Sequence, residues 1–109
     1  MNTTPGLLIM VAAFAASSLS AADVATHWKN QCAKCHGEDG RGETKMGRKL
    51  YIGDLTDRKL QSKFTDEEAV QAIKHGLKDA KGKAIMKAIN GVSDEDATAL
   101  VTHVRTLQK

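Results

Sequence analysis

The sequence predicts an all-α, loop-rich protein with a single domain. Apolar residues recur at helical spacing in three separate segments, whereas no segment alternates apolar and polar residues over any length, as a half-buried strand does. Glycine-rich and lysine-rich stretches separate the three segments. A chain of 109 residues is long enough for one domain and too short for two.

The first predicted helix extends from about Asp23 to about Cys35. Aspartate is a favoured N-cap residue, and the apolar positions that follow it recur every three or four residues. These positions, which would share one face of the helix, are Val24, Trp28, Cys32 and Cys35. The glycine-rich, charged residues 37–63 then predict a long loop with at most a short helical turn.

The second predicted helix begins after Thr65 and ends at Gly76. Thr65 and Glu68 have the spacing of a capping box, in which each side chain binds the backbone amide of the other residue. Glycine is common immediately after the end of a helix. Residues 77–90 are rich in lysine and predict an exposed loop that contains Met86.

The third predicted helix begins at Ser93. Three acidic residues fill its first turn, where negative charge interacts favourably with the helix dipole; they are Asp94, Glu95 and Asp96. The apolar residues that follow recur at helical spacing and predict one buried stripe. That stripe consists of Ala97, Leu100, Val101, Val104 and Leu107.

The N-terminal residues predict a secretory signal peptide rather than part of the folded domain. Residues 7–16 form an apolar run that is too short to span a bilayer but suits the core of a signal peptide. We expect cleavage after Ala22, which removes residues 1–22 and leaves residues 23–109 as the exported domain. Cleavage after Ser20 is the alternative. The segment lacks the usual basic start, and an uncleaved anchor is the other alternative.

The charge balance of the chain is mildly basic. The formal net charge is +3 and the two signs are mixed, which is too weak a pattern for a nucleic-acid-binding surface. A mildly basic surface favours an acidic protein partner instead. Only three aromatic side chains follow residue 22, so a domain this small needs a disulfide, a metal or another internal support.

The two cysteines occur with a histidine in the segment CAKCH, residues 32–36. A redox-active dithiol or a disulfide is one interpretation, but the strand–helix–strand framework of thiol oxidoreductases is not predicted here. Structural zinc is a second, but it needs four ligands, and the other histidines are scattered at His27, His75 and His103. The third is covalent haem, for which C-x-x-C-H is the attachment pattern.

The spacing of the segment favours haem. Two thiols three residues apart at a helix end can add to the two vinyl groups of a porphyrin, and the next histidine then lies beneath the iron. We therefore expect one haem c, bound covalently through Cys32 and Cys35, with His36 as the proximal iron ligand. A large, flat, apolar cofactor would also fill the core of a domain with few aromatic residues.

The sixth iron ligand is expected to be Met86. A methionine thioether suits a low-spin haem that transfers electrons. Met46 follows His36 by only ten residues, which leaves too little chain to wrap around the haem edge, whereas Met86 comes fifty residues later among apolar neighbours. Met46 is therefore interpreted as core filler. A bis-histidine site is the alternative, but the remaining histidines are better interpreted as surface or rim residues.

The sequence resembles the class I c-type cytochromes over nearly all of residues 23–109. CAKCHGEDGRG resembles the haem-attachment motif, GDLTD resembles a segment of many bacterial members, and MKAINGVSDEDATALVTHVRTL resembles the distal-ligand loop and the C-terminal helix. The resemblance implies about three main helices and long loops wrapped around one haem, with the first and last helices crossing. The family often orients the proximal histidine with a proline carbonyl; this range has no proline, so a carbonyl of residues 45–53 would orient His36 instead.

The resemblance also implies a one-electron carrier, not an enzyme, that exchanges electrons with redox proteins in the periplasm. If Met86 does not bind the iron, the alternative is a five-coordinate haem in a peroxidase-like or gas-sensing protein. Five lysines surround the predicted distal loop: Lys74, Lys78, Lys81, Lys83 and Lys87. They form either an ordinary solvated face or a docking surface for an acidic partner.

Overall fold

The computed structural model of the chain describes Gly6 and residues 20–109. The predicted signal peptide therefore lies almost entirely outside the described residues. In chain order, the elements are α1 (Ala21–His27), a π-helical segment (Trp28–Cys32), α2 (Ala33–His36), α3 (Lys45–Lys49), α4 (Arg58–Gln61), α5 (Asp66–His75), β1 (Leu77–Lys78), β2 (Ala84–Met86) and α6 (Asp94–Thr106).

The first predicted helix is present as α1, the π-helical segment and α2 in succession. Its N-cap is Ser20, not the predicted Asp23. The Ser20 hydroxyl accepts a hydrogen bond from the Asp23 amide at 3.2 Å, and the Asp23 carboxylate accepts one from the Ser20 amide at 3.3 Å. Asp23 is thus the acidic partner in a capping box, a role that also favours aspartate near a helix start.

Both other predicted helix starts are confirmed. Thr65 and Glu68 form the predicted capping box at the start of α5, and the Ser93 hydroxyl caps α6 by accepting a hydrogen bond from the Asp96 amide at 3.1 Å. Helix α5 ends at Gly76, whose φ of 76° lies in the left-handed region. These boundaries depend on neighbouring residues alone, which explains why local sequence patterns predict them.

Two segments predicted as loops contain additional structure. Residues 37–63 include the short helices α3 and α4. Residues 77–90 include an antiparallel hairpin, in which Leu77 pairs with Met86 and Lys78 pairs with Ala84. Strands of two and three residues are too short to show an alternating pattern, so the prediction of a plain loop was wrong here.

The apolar core lies where α1, α5 and α6 meet. Its buried residues are Val24, Ile73, Ala97, Leu100 and Val101. Contacts between α1 and α6 confirm the expected crossing of the first and last helices. The described residues are mostly helical, and their only sheet is this two-stranded hairpin. The predicted all-α class is therefore confirmed. In the same part of the chain, no helix is both long enough and apolar enough to cross a membrane.

Candidate functional site

One mostly apolar cavity, with a volume of about 340 Å³, brings most of the predicted site residues together. Cys32, His36 and Met86 all line it. Its apolar walls include Leu55, Leu60, Phe64, Ile73, Leu77 and Leu100. Cys35 does not line the cavity, although it belongs to the same short helix as His36.

The cysteines lie at the junction between the π-helical segment and α2. Both are free thiols and partly buried. Burial, together with a smaller effect of the charge of Cys35, raises the pKa of the Cys32 thiol to about 11. The Cys32 thiol therefore stays protonated at neutral pH beside an apolar cavity. A π-helical turn is often found at a functional site, and here it carries Trp28 and Cys32 on the side of the cavity.

The imidazole of His36 is held by packing. Burial lowers its pKa, which favours the neutral ring that a metal can bind. The Trp28 ring lies beside it, with centroids 5.8 Å apart. The His36 Nδ1 atom is buried and has no hydrogen-bond partner, so the expected carbonyl of residues 45–53 is not found. Three carbonyls of that segment, those of Met46, Gly47 and Arg48, accept backbone hydrogen bonds at the end of α3.

The loop after His36 folds back onto the cysteine segment. The Gly42 amide donates to the His36 carbonyl at 2.7 Å. The Thr44 hydroxyl donates to the Cys35 carbonyl at 2.6 Å and accepts from the Gly47 amide at 2.8 Å. A Cβ atom at Gly47 would lie 2.6 Å from the Cys35 carbonyl oxygen, so a larger residue would push α3 away from the cysteines.

Trp28 connects the attachment segment to the last helix. Its indole N–H lies 3.2 Å from the carbonyl oxygens of both Gly37 and Glu38 and donates to them. Its ring also contacts His103 of α6, with centroids 5.1 Å apart. Trp28 thus holds both the loop after His36 and the place where the first and last helices meet.

Met86 reaches the cavity from the hairpin. It is partly buried and packs against the apolar core. The Ile89 amide donates to the Ile73 carbonyl at 2.9 Å, which ties the chain after the hairpin to α5. Met46, by contrast, is partly buried in α3 and does not line the cavity.

The other histidines do not line the cavity. His75 is exposed at the end of α5, as predicted. His27 and His103 are more buried than a surface interpretation implied, because the Nε2 atom of each is buried without a hydrogen-bond partner. Helix crossing, which brings α1 against α6, accounts for their burial. Nowhere in residues 20–109 do three or more His, Cys, Asp or Glu side chains converge on a metal-sized site, so the zinc interpretation gains no ligand set.

The sequence interpretation missed a polar network beside the cavity, which joins Gln61 to Arg105. Gln61 is only 2% exposed, although it lies in the charged segment 37–63 that the sequence predicts to be a loop. Its partners are distant in the chain, so no local pattern could reveal it. The donor set and the cavity walls fit a haem: thiol, imidazole and thioether groups border a space that is otherwise mostly apolar.

The comparisons with known proteins agree with this fit. A family model described as Cytochrome c matches residues 21–108. The solved structure of the KustC0563 c-type cytochrome is similar with a TM-score of 0.66 and 28% identity, over 78% of this chain and 96% of that one. A mutant of Kustc0563 gives a TM-score of 0.64 and 28% identity, over 79% and 99% of the two chains. No curated protein sequence matches significantly.

Proposed function

The chain belongs to the cytochrome c family, as a class I c-type cytochrome with covalent haem c, and we propose that it carries single electrons through a haem whose iron would be bound by His36 and Met86. The observation that carries this proposal is the shared cavity. His36 enters it from α2 and Met86 from β2, so the two side chains come from separate parts of the fold.

The residues around the cavity have distinct roles in this proposal. Cys32 and Cys35 anchor the cofactor through thioether bonds, and haem c supplies the iron that gains and loses one electron. His36 is kept neutral by burial and is oriented by Trp28. The Met86 thioether favours the reduced state and raises the reduction potential. The apolar walls exclude water, so that little rearranges when the charge changes. No residue is assigned a catalytic role, because we propose a carrier rather than an enzyme.

We further propose that the hairpin is the docking surface for an acidic redox partner. Lys78, Lys81, Lys83 and Lys87 are exposed there, together with the apolar side chains of Leu77 and Ile85. The tip is held in shape because the Asp79 carboxylate accepts hydrogen bonds from the Lys81 and Lys83 amides, each at 2.9 Å. Lysines around an apolar patch suit an acidic, partly apolar partner.

Lys74 is not part of this docking surface. It forms an ion pair with Asp94 at the start of α6. The hydrogen bond from Lys74 and its positive charge lower the pKa of the Asp94 carboxyl. Of the five lysines predicted to surround the distal loop, the other four therefore remain available to contact a partner.

The docking surface can be tested with the anionic oxidant ferricyanide. Electron transfer from the reduced holoprotein should slow as salt rises, because ions screen the attraction. Lys78→Glu with Lys83→Glu should lower the rate and weaken its salt dependence. Lys29→Glu with Lys109→Glu is the control, since it changes the net charge equally at exposed sites outside the hairpin. Equal effects of the two pairs would remove the hairpin as the docking surface.

We propose that the protein works in the periplasm after removal of residues 1–22. The support is the predicted signal peptide and the covalent haem of the family, which suits an exported protein because the cofactor cannot easily be lost. N-terminal sequencing of the mature holoprotein tests this directly. A start at Ala21 or Asp23 is expected, and a start at Met1 would contradict the proposal.

A redox titration with oxidised and reduced spectra tests the electron-carrier function. We expect one reversible one-electron transition, low-spin spectra in both states and no spectral change with carbon monoxide. A high-spin spectrum that shifts with carbon monoxide would instead indicate the five-coordinate peroxidase-like or gas-binding alternative.

A further inference from the structure

Gln61 is the only buried polar or charged residue among those the structure describes. Its side-chain amide nitrogen donates to the Leu55 carbonyl at 2.8 Å and to the Val104 carbonyl at 2.8 Å. Both amide hydrogens are therefore used, and they join the loop before α4 to helix α6. A buried amide with satisfied hydrogen bonds specifies one arrangement of the groups around it.

Arg105 completes this connection from α6. Its Nη1 atom donates to the Gln61 side-chain oxygen at 2.9 Å and to the Gln61 carbonyl at 2.5 Å. Its Nη2 atom donates to the Phe64 carbonyl at 2.8 Å, and the guanidinium carbon lies 4.5 Å from the centre of the Phe64 ring. We call these two side chains and their partners the Gln61–Arg105 bridge.

The bridge holds one wall of the cavity. Leu55 and Phe64 each offer a carbonyl to it, and their side chains line the cavity together with Leu60. Hydrogen bonds from a charged guanidinium are stronger than those between neutral groups. The bridge thus adds charge-assisted hydrogen bonds from α6 to a wall whose own regular structure is the four-residue helix α4.

One contact of Arg105 is of a different kind. Its Nε atom donates to the Asp66 carboxylate at 2.8 Å, but that carboxylate is 74% exposed. An exposed ion pair contributes little, on the order of 0–1 kcal/mol. The bonds to Gln61 and Phe64 are thus the ones that fix the wall.

We propose that Arg105 and Gln61 are positioning residues that keep this wall closed over the haem and thereby raise its reduction potential. The oxidised haem carries one more positive charge than the reduced haem, and water stabilises that charge. A closed apolar wall withholds the water and so favours the reduced state. The inference depends on the family's haem, but not on whether Met86 is the sixth ligand.

The primary test compares the reduction potentials of two arginine variants of the holoprotein. Arg105→Lys keeps the charge but cannot reproduce the planar fork of donors, so the potential should fall below that of the wild type. Arg58→Lys is the matched control. Arg58 also donates to a backbone carbonyl, that of Lys109 at 3.0 Å, but it is exposed and outside the bridge. The reduction potential of Arg58→Lys should equal the wild-type value.

A second pair of variants separates positioning from a local charge effect. Gln61→Met removes the amide at similar size and should also lower the potential. Asp66→Asn removes only the exposed ion pair and should leave the potential unchanged. Loss of a negative charge would by itself raise the potential, so a rise in Asp66→Asn as large as the fall in Arg105→Lys would show that local charge controls the potential, and the proposal is overturned.

The double variant Arg105→Lys with Gln61→Met tests whether the two residues act as one unit. Residues in one hydrogen-bonding network have non-additive effects, so the double variant should shift the potential about as much as the larger single variant. Thermal unfolding is measured on the same samples. A lower unfolding temperature with an unchanged potential in both single variants would show a purely structural role and overturn the proposal.

The same samples distinguish this inference from the proposed ligation. The near-infrared iron–sulfur band reports a methionine ligand, and Met86 lies on the hairpin, outside the bridge. The band should therefore persist in Arg105→Lys while the potential falls. Absence of the band in the wild type would contradict Met86 ligation and leave the bridge proposal to be judged by the potentials alone.

Discussion

Gly76 and Met86 are in close backbone contact: a Cβ atom at position 76 would lie 2.5 Å from the Met86 carbonyl oxygen and 2.8 Å from the Ala88 amide nitrogen. The φ of 76° at Gly76 is also one that other residues rarely adopt. The end of α5 thus sets where the second strand of the hairpin lies. Through that strand it sets where the Met86 side chain meets the cavity.

Replacing Gly76 should disturb the iron ligand as well as the fold. Gly76→Ala adds a Cβ atom to this contact and is strained at positive φ, so we expect a loss of more than about 1 kcal/mol in the free energy of unfolding. The hairpin must also move, so the near-infrared iron–sulfur band should weaken. Denaturant titration and the near-infrared spectrum of the holoprotein measure the two effects.

Gly82 provides the control for this prediction. Its φ is 81°, but a Cβ atom there would meet nothing within 4 Å. Gly82→Ala should therefore show the backbone strain without the change in the near-infrared band. Equal loss of the band in both variants would contradict the role of the Gly76–Met86 contact.

Thr44 should stabilise the haem-attachment loop through its hydroxyl. Thr44→Val keeps the shape but removes the bonds to the Cys35 carbonyl and the Gly47 amide. We expect a loss of about 1–3 kcal/mol in the free energy of unfolding, because these partly buried groups lose their partner. Thr44→Ser keeps the hydroxyl and should retain most of the stability; equal losses in denaturant titrations of the two variants would argue against the hydroxyl.

Tyr51 occupies a position that favours glycine. Helix α3 ends with the Ile52 amide donating to the Gly47 carbonyl and the Tyr51 amide donating to the Arg48 carbonyl, the pattern of a Schellman motif. Tyr51 has a φ of 53° and is 93% exposed. Tyr51→Gly should therefore stabilise the protein by about 1 kcal/mol by removing left-handed strain.

Tyr51→Ala separates strain from the loss of the ring. Alanine also removes the aromatic side chain but keeps the Cβ atom that makes this conformation unfavourable. We expect Tyr51→Ala to be no more stable than the wild type in thermal unfolding. If alanine stabilises as much as glycine, the strain at position 51 is not the cause.

His103 should make stability depend on pH. Burial lowers the pKa of its imidazole in the folded protein, whereas the unfolded pKa is about 6.5. The unfolded chain then binds the proton more readily, so the stabilisation is present above the unfolded pKa and is lost as the pH falls through the folded pKa. Denaturant titrations of the holoprotein from neutral pH downwards should therefore show a loss of stability that is smaller in His103→Phe.

His75 is the control for this pH effect, because its side chain is exposed at the end of α5. His75→Gln should follow the wild-type pH dependence. An identical loss of stability in the wild type and His103→Phe as the pH falls would show that other groups cause it.

The helix boundaries were largely predictable because caps are local. The Thr65 box and the Ser93 cap need residues only three positions apart. At the first helix, Ser20 rather than the predicted Asp23 is the N-cap. The hairpin was not predictable, because it depends on the close approach of Gly76 to Met86 and not on any pattern in its own short strands.

The residues of the candidate site could be predicted where they lie together in one short segment. They could not be predicted where they depend on contacts between residues that are distant in the chain. CAKCH indicated the cofactor. The distance of Met86 from His36 along the chain indicated that Met86 could also reach the cofactor site, and it lines the cavity. The Gln61–Arg105 bridge joins residues 44 positions apart, and a glutamine in a charged loop has no feature that indicates burial. The orientation of His36 also differed, because its Nδ1 atom has no hydrogen-bond partner and no carbonyl of residues 45–53 accepts from it.

The most direct test of the account is the near-infrared spectrum of the oxidised holoprotein with each methionine replaced. Met86→Ala should abolish the iron–sulfur band and yield a spectrum that changes with carbon monoxide on reduction, since one axial position becomes free. Met46→Ala should keep the band. Persistence of the band in Met86→Ala, or its loss only in Met46→Ala, would contradict an electron carrier whose iron is held by His36 and Met86.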